Sequence, residues 1–283
     1  MARLLRLQDY DRAIQSDNLD QVIGSNYTLL LDVEQAAQLT MIGHLKQRYQ
    51  VNRIFANLST FSLSATYKGL NLVEYTESTF SAITIYTTGQ RVVYSGNIYS
   101  SIAGCAAHAF NVAEWTLICD DKLLYYVTLP NPEFDITATY ATEDVVWYNN
   151  YNYTCRQPIT GILPTNTSYW TVTGAEYSVT NTYPTDLTKW TLGDNRNQEV
   201  VQNLLDITLY NLHCRINPRN VPDLRKERFD GNEPQQRGGA IGWLKNISSG
   251  KIYLDSPEIL PEQGNSINWG NANGNNIAPV NTY

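Results

Sequence analysis

The sequence predicts an α+β fold in which a small domain of about four helices carries inserted antiparallel β-modules and ends in an extended C-terminal arm. Three observations predict it: apolar residues at helical spacing in two separated segments, a Thr-, Tyr- and Val-rich stretch between them, and an Asn- and Gly-rich tail. The chain has 283 residues, enough for a sizeable core, and its 20 Tyr and 6 Trp against 6 Phe favour strands over an oily helical interior.

The first helical part is expected over residues 1–54. An amphipathic helix is predicted to follow Asp32 and to run to about Tyr49 or Val51, because apolar side chains recur there at i, i+3 and i+4. The residues of this stripe are Val33, Ala36, Ala37, Thr40, Met41 and Leu45. A shorter helix is predicted within Leu7 to Gln15, where Leu7, Tyr10 and Ile14 share one side.

An inserted β region is expected over residues 55–183, and it contains an internal repeat. A shift of 54 residues superimposes Tyr86 on Tyr140, and the same alignment continues through further pairs. These pairs are Thr88 on Thr142, Val92 on Val146, Tyr94 on Tyr148, Tyr99 on Tyr153 and, after one inserted residue, Trp115 on Trp170. Ser95-Gly96 and Asn149-Asn150 stand at one shared position and suit a tight hairpin turn with positive φ. We therefore predict two copies of one β-module, at residues 80–119 and 134–173.

The second helical part is expected over residues 184–254. Asp194 or Asn195 can cap a helix that Pro218 ends, and its wide apolar face makes it the central helix of the domain. That face comprises Val201, Leu204, Leu205, Leu209, Leu212 and Ile216. A last helix is predicted from about Gln235 to Ser249, with Gly250 as its C-terminal cap. We expect the two helical parts to pack together and the β-modules to project from them.

Residues 255–283 are predicted to form the extended arm. They have little charge and no helical period, so the segment cannot bury itself. Apolar residues are nevertheless spaced along it like anchors for a neighbouring chain, among them Ile259, Leu260, Ile267, Trp269, Ile277, Val280 and Tyr283.

The helical segments resemble a known family. The resemblance lies in the stretch DITLYNLHCRINPRNVPDLR, residues 206–225, followed by Ile241-Gly242-Trp243-Leu244-Lys245 and Ser249-Gly250-Lys251-Ile252. Together with the N-terminal helix ending in His44-Leu45-Lys46-Gln47-Arg48-Tyr49, these pieces resemble the head-to-tail connector, or head-completion, proteins of tailed bacteriophages. They cover somewhat under half of the chain. The loose segment Asp230 to Gly239 and the β insertion depart from that family's pattern.

This resemblance implies a non-enzymatic structural virion protein. It implies a cyclic homo-oligomer, a twelvefold ring in the neck, that connects the portal protein to a downstream neck or tail protein and continues the DNA channel. Packaged DNA would pass through without sequence-specific binding, and the protein would reside in host cytoplasm during assembly. Candidate contacts for assembly are Arg215, Arg219, Arg225, Ile259, Leu260, Ile267, Trp269 and Tyr283.

The two β-modules resemble the small carbohydrate-binding modules attached to chitinases. Their repeated aromatic residues are predicted to form the module cores, namely Tyr86, Tyr94, Tyr99, Trp115, Tyr140, Tyr148, Tyr153 and Trp170. Sugar stacking would need further, exposed rings, for which Trp147, Tyr151 and Tyr169 are the candidates. The alternative function is therefore a virion decoration or tail protein that binds host or mucosal glycans.

The sequence contains few residues suited to catalysis or cofactor binding. His44, His108 and His213 lie far apart, and Cys105, Cys119, Cys155 and Cys214 have no metal-ligand spacing. There is no GxSxG, P-loop or GxGxxG motif, so we predict no catalytic residue, no metal and no cofactor.

Charge and hydropathy exclude two further classes. The 20 basic residues are spread among 27 acidic ones, giving a net charge of -7 and no dense basic patch for phosphate binding. Met1 to Asp11 lacks the apolar run of a secretion signal, and no segment approaches the roughly 20 apolar residues that cross a bilayer. We therefore expect no membrane partner and a protein made and kept in the cytosol.

Overall fold

The computed structural model describes residues 3–14, 16–24, 26–55, 58–120, 122–231 and 238–254. It confirms the α+β class, since helices precede and follow a set of antiparallel sheets along the chain. The described residues form two compact units, one of residues 3–128 and 178–254 and the other of residues 129–177.

Four helices form the N-terminal part: α1 (Leu7–Tyr10), α2 (Ser16–Ile23), α3 (Tyr27–Leu45) and α4 (Val51–Ile54). The long helix α3 begins before the predicted position, because the cap is Asn26 and not Asp32. The Asn26 side-chain oxygen accepts a hydrogen bond from the Leu29 amide at 3.1 Å. Among the described residues of the predicted helix Leu7 to Gln15, only the single turn of α1 is helical, and α2 was not predicted.

Three helices form the C-terminal part: α5 (Gln198–Ile216), α6 (Asp223–Asp230) and α7 (Ala240–Ser248). Helix α5 is capped by Asn197, whose side chain accepts from the amides of Glu199 and Val200, so the predicted caps Asp194 and Asn195 are wrong. Helix α7 begins later than Gln235. Gly250 follows it with φ of 76°, the left-handed conformation expected of a C-terminal cap.

One apolar core joins both helical parts, as expected. Helix α5 is buried along most of its length and packs against α3, α6 and α7. The fully buried side chains at this centre include Leu30, Ala37, Met41, Leu45, Val201, Leu204, Leu205, Leu209, Leu212, Leu244 and Ile247. Burying this many aliphatic side chains supplies the main driving force for folding of the helical body.

The two predicted β-modules have the same architecture. Module B contains β4 (Arg91–Tyr94), β5 (Asn97–Ser101) and β6 (Trp115–Asp120) in one antiparallel sheet. Module C contains β9 (Val145–Tyr148), β10 (Tyr151–Cys155) and β12 (Trp170–Val172) in a matching sheet, with the short pair β8 (Thr139–Tyr140) and β11 (Ile159–Thr160) beside it. Both central hairpins turn on two residues with positive φ, Ser95-Gly96 and Asn149-Asn150, as the sequence predicts.

The structure contains a third copy of this module, which was not predicted. Module A consists of β2 (Thr66–Lys68), β3 (Leu72–Tyr75), β7 (Leu123–Val127), β13 (Ser178–Thr180) and β14 (Trp190–Leu192). Its strands β3, β7 and β14 pair like β9, β10 and β12, and β2 pairs with β13 as β8 pairs with β11. A further strand, β1 (Leu58–Thr60), lies parallel to β3 at the edge of the module A sheet.

The three modules share the same interactions around one tyrosine. In each, the tyrosine hydroxyl accepts a 2.7 Å hydrogen bond from a backbone amide five residues earlier and stacks on a phenylalanine. A tryptophan packs edge-on against the same tyrosine. The three sets are Phe61, Tyr67 and Trp190 in module A, Phe80, Tyr86 and Trp115 in module B, and Phe134, Tyr140 and Trp170 in module C.

Modules B and C are both inserted into module A. Module B lies between β3 and β7, the position of the two-residue hairpin turn in the other copies, and module C lies between β7 and β13. The β region therefore ends at Leu192 and not at residue 183, because β14 completes the module A sheet by pairing with β7.

A buried arginine fixes the point at which the chain returns from module A to the helices. The guanidinium of Arg196 donates to Asp9 at 2.6 and 3.1 Å, to Asp194 at 2.8 Å and to the Leu4 carbonyl oxygen at 2.7 Å. Its side chain is 3% exposed. These charge-assisted bonds join the N-terminal segment to the link between β14 and α5.

We predict that Arg196→Ala lowers the free energy of unfolding of the first unit by about 3–5 kcal/mol, because it removes the buried guanidinium that pairs with both oxygens of the buried Asp9 carboxylate. Urea denaturation followed by circular dichroism measures this change. Arg215→Ala, which removes an exposed arginine at the end of α5, is the matched control and should change the value by less than about 0.5 kcal/mol. Equal stability of the two variants would contradict the assigned role.

The lowered pKa of Asp194 predicts how the stability of the protein depends on pH. Burial alone would raise this pKa, but the hydrogen bonds and charge of Arg196 outweigh it and hold the pKa below the ordinary value of 3.8. A lowered folded-state pKa stabilises the protein above pH 3.8, and the stabilisation is lost as the pH falls through the folded-state pKa. Asp194→Asn should therefore cost about 1–3 kcal/mol near pH 7 and progressively less in acid. A difference between variant and wild type that is independent of pH would contradict this.

The module tryptophans should each stabilise their own module core. We expect Trp170→Ala to cost about 3–5 kcal/mol and to unfold the unit of residues 129–177 alone. Trp190→Ala should cost a similar amount but destabilise the first unit, because module A shares that unit with the helices. Amide hydrogen exchange read by mass spectrometry distinguishes the two patterns. If Trp190→Ala lost protection only in residues 178–192, the stability of the helices would not depend on module A, which would contradict this prediction.

Candidate functional site

A concave surface of the first unit lies between modules A and B. This inter-module groove has a volume of about 600 Å³. Module A contributes Tyr75, Tyr183, Thr185 and Leu187, and module B contributes Tyr86, Gly89, Gln90, Arg91 and Val92. Glu77 and Ser78, from the segment that connects β3 to module B, complete the lining. Insertion of module B into the β3–β7 connection therefore creates the groove.

A hydrogen-bonded chain of polar side chains forms one side of the groove. The Tyr125 hydroxyl donates to Oε1 of Glu77 at 2.9 Å, and Nη1 of Arg91 donates to the Tyr125 oxygen at 3.0 Å. Glu77 is only 7% exposed. Within the described part of the chain, its second oxygen, Oε2, accepts no hydrogen bond.

Burial shifts the pKa values of Glu77 and Tyr125 in this chain of side chains. Desolvation raises the pKa of Glu77 above its ordinary value, although the hydrogen bond from Tyr125 and the charge of Arg91 oppose the change. Burial and the neighbouring Glu77 also raise the pKa of Tyr125, so its hydroxyl keeps its proton and remains a donor. The groove therefore holds a carboxylate acceptor and a guanidinium donor, joined by a neutral phenol.

Tyrosine rings form the apolar part of the groove. Tyr183 is 50% exposed, and its ring packs at 65° to that of Tyr75 with centroids 6.5 Å apart. Leu187, on the same turn as Tyr183, is also exposed. An exposed tyrosine held by a neighbouring ring presents a rigid apolar surface next to polar groups, as in many sites for small molecules.

The described residues show no arrangement suited to a metal. Within them, no three His, Cys, Asp or Glu side chains lie close enough together to hold an ion. Cys105 and Cys155 are buried thiols, and Cys119 and Cys214 are partly buried. His108 pairs with Glu114 at 2.9 Å, and His213 bonds to the Leu209 carbonyl oxygen one turn earlier in α5.

The residues predicted as module cores have different exposures. Tyr86, Trp115, Tyr153 and Trp170 are buried, and Tyr99, Tyr140 and Tyr148 are half-buried. Tyr94 is 39% exposed, and it stacks on Phe110 with ring centroids 3.9 Å apart. It therefore covers the edge of the module B core and is not a buried core residue.

The candidates for glycan stacking also differ in exposure. Trp147 is 2% exposed, so the prediction that its ring is open to a sugar is wrong. It follows Val146 on β9 and so lies on the opposite sheet face from the module C core. Tyr151 is exposed and Tyr169 is half-buried against the module core, and stacking on either stays a prediction.

The candidate assembly residues fall into three groups. Arg215 and Arg219 are exposed at the end of α5 and just after it. Arg225 is buried, and its Nη2 donates to the Ala13 carbonyl oxygen at 2.8 Å, so it binds within the helical body and not a neighbouring subunit. The remaining candidates, Ile259, Leu260, Ile267, Trp269 and Tyr283, lie in the predicted arm, which is outside the described residues.

Sequence reasoning missed the groove because it missed module A, although two signals were present. Phe61 and Tyr67 have the same spacing as Phe80 and Tyr86, and Pro184 and Trp190 have the same spacing as Pro164 and Trp170. These halves of module A are separated by the two inserted modules, so no single shift of the sequence aligns both with another copy.

The described residues thus form a helical body and three aromatic β-modules, two of which are inserted into the third. No protein-family model matches the chain, and no curated protein matches it. Among the described residues, no helix combines the length and apolar character needed to cross a membrane.

Proposed function

We propose that the chain is a structural virion protein of a tailed bacteriophage, forming a ring in the neck that connects the portal protein to the next neck or tail protein. The observation that carries the proposal is an exposed, almost uncharged face along α3. Such a face, on a helix that also forms the core, is typical of a surface that packs against another subunit.

The outward face of α3 carries apolar residues one and two turns apart. Tyr27, Leu31 and Leu39 are all exposed, Leu39 to 52%. Among the exposed residues of α3, all of which is described, Asp32 alone carries a charge. Removing this face from water would gain apolar burial and desolvate few charges.

A second exposed apolar surface lies on other helices. Ile216 at the end of α5 and Leu224 in α6 are exposed, with the exposed Arg215 and Arg219 close to Ile216 in the chain. Helices α5 and α7 pack against both α3 and α6. This surface carries both signs of charge, since the exposed Asp223 lies next to Leu224, and its arginines offer partners for Asp32 of the α3 face.

Two different complementary surfaces on one chain favour a ring. A single self-complementary surface closes a two-fold dimer, whereas head-to-tail contact between two surfaces generates a ring when the rotation closes. We propose that the α3 face of one subunit packs on the α5–α6 surface of the next. The arm of residues 255–283 is proposed to bind a neighbouring subunit in the same ring.

The net negative charge of the chain suits a ring through which DNA passes. A net charge of -7 disfavours tight binding of the phosphate backbone, so packaged DNA passing through the ring would not be held. The β-modules would then lie on the outside of the ring in the virion, and no catalytic step is required.

We predict that Leu39→Glu and Leu224→Glu each keep the full chain monomeric, because each introduces a charge into one side of the contact. Multi-angle light scattering after size exclusion measures the mass. A mixture of the two variants should form dimers, since the Leu224→Glu subunit retains its α3 face and the Leu39→Glu subunit retains its α5–α6 surface.

Ile83→Glu provides the matched control, because Ile83 is an exposed isoleucine of module B outside both surfaces. This variant should assemble like the wild type. Assembly of Leu39→Glu into normal rings, or a wild-type chain that stays monomeric at every concentration, would contradict the proposal.

A further inference from the structure

We propose that the inter-module groove binds a neutral sugar unit of an oligosaccharide, with Glu77 and Arg91 bonding its hydroxyl groups and Tyr183 packing on its ring. This binding function goes beyond ring formation and does not depend on it. The groove is distinct from the exposed-ring positions considered on module C, since all its residues belong to the first unit.

The carboxylate of Glu77 is the first support. It is almost completely buried, yet its Oε2 receives no hydrogen bond from any described residue while Oε1 is bound by Tyr125. The atom Oε2 itself stays accessible to solvent where Glu77 lines the groove, so this carboxylate oxygen is open to a donor from outside the chain. A ligand that donates a hydrogen bond there would satisfy it.

The second support is the donor beside it. Arg91 uses Nη1 to bind the Tyr125 hydroxyl, and within the described chain Nε and Nη2 have no acceptor. Gln90, next to it in the groove, uses its side-chain oxygen to cap the Thr87 amide, which leaves its NH₂ group to donate. A ligand in the groove must therefore accept hydrogen bonds from Arg91 and Gln90 and, from a nearby group, donate one to Glu77.

These requirements select the chemical class. Adjacent hydroxyl groups both donate and accept, and so they match a carboxylate next to a guanidinium. A simple anion would be repelled by Glu77 and a simple cation by Arg91, whereas a neutral polyol meets both groups. Selectivity for a neutral ligand thus follows from the two opposite charges.

The tyrosines and the size of the groove select a ring-shaped ligand. The carbon-bearing faces of a pyranose are apolar and can cover the exposed ring of Tyr183 and the half-buried ring of Tyr75, with Leu187 at the margin. A volume of about 600 Å³ falls within the range of small-molecule sites and leaves room for more than one sugar unit.

The test is saturation-transfer difference NMR on the full chain with three neutral probes, cellotetraose, mannotetraose and N,N′,N″,N‴-tetraacetylchitotetraose. At least one should receive saturation from the wild type. Glu77→Gln retains shape but removes the charged acceptor, and Tyr183→Ala removes the exposed ring, and each should weaken binding of that probe about tenfold or more. Tyr253→Ala, which removes an exposed tyrosine outside the groove, should leave its affinity unchanged.

Each alternative outcome overturns the site. Absence of transfer to all three probes would exclude a neutral-sugar groove. Binding that survives in both groove variants would place any sugar site elsewhere. Loss of binding in a further variant, Tyr151→Ala, with both groove variants unaffected, would place it on module C. Tyr183 is exposed, so its variant remains informative if Glu77→Gln fails to fold, and thermal melting of each variant establishes that. Ring formation is measured separately, so its failure and that of sugar binding are distinguishable.

Discussion

The burial of Arg196 is the constraint on which the connection between sheet and helices depends. The chain leaves the helical body after α4 and returns only at α5, with three β-modules in between. At the return point one guanidinium binds the Asp9 carboxylate and the Leu4 carbonyl oxygen of the N-terminal segment and the carboxylate of the neighbouring Asp194. A buried cation is tolerated only when it is fully paired, so these partners must all be in place at once. The N-terminal segment, module A and α5 are therefore held in one unit.

Nested insertion explains how the chain carries three β-modules although no module has a large core of its own. Each module is stabilised by a small aromatic cluster, and the ends of an inserted module must lie close together to enter a hairpin connection. In module B, the Thr79–Val93 bridge and the pairing of Asn97 with Asp120 bring those ends together. Extending a surface connection costs little entropy compared with disturbing a strand. Module A thus keeps the same strand pairing as the uninterrupted copies.

Insertion also separates two kinds of surface on the first unit. Helix α3 combines a buried face, which packs on α5 and α7, with an outward face that has little charge. The inter-module groove instead places a carboxylate and an arginine beside the exposed ring of Tyr183. The first surface suits extended contact with protein, because it loses little solvation on burial, and the second suits a small polar ligand, because its polar atoms remain unsatisfied. The two proposed functions therefore use different physical properties of the same unit.

The sequence by itself determined the elements that depend on local pattern. The apolar stripes of α3 and α5, the repeat of modules B and C, and the positive-φ hairpin residues Ser95-Gly96 and Asn149-Asn150 all follow from residue spacing and turn chemistry. The helix starts were predicted wrongly, because more than one residue is an acceptable cap. Asp32 and Asn26 both suit α3, Asp194 and Asn197 both suit α5, and tertiary packing selects one of each pair. Only the tertiary structure decided that Trp190 completes a module begun at Phe61, that Trp147 is covered, and that Glu77 and Arg91 meet through Tyr125. These contacts join residues far apart in the chain, and their formation depends on which strands pair and not on any local period.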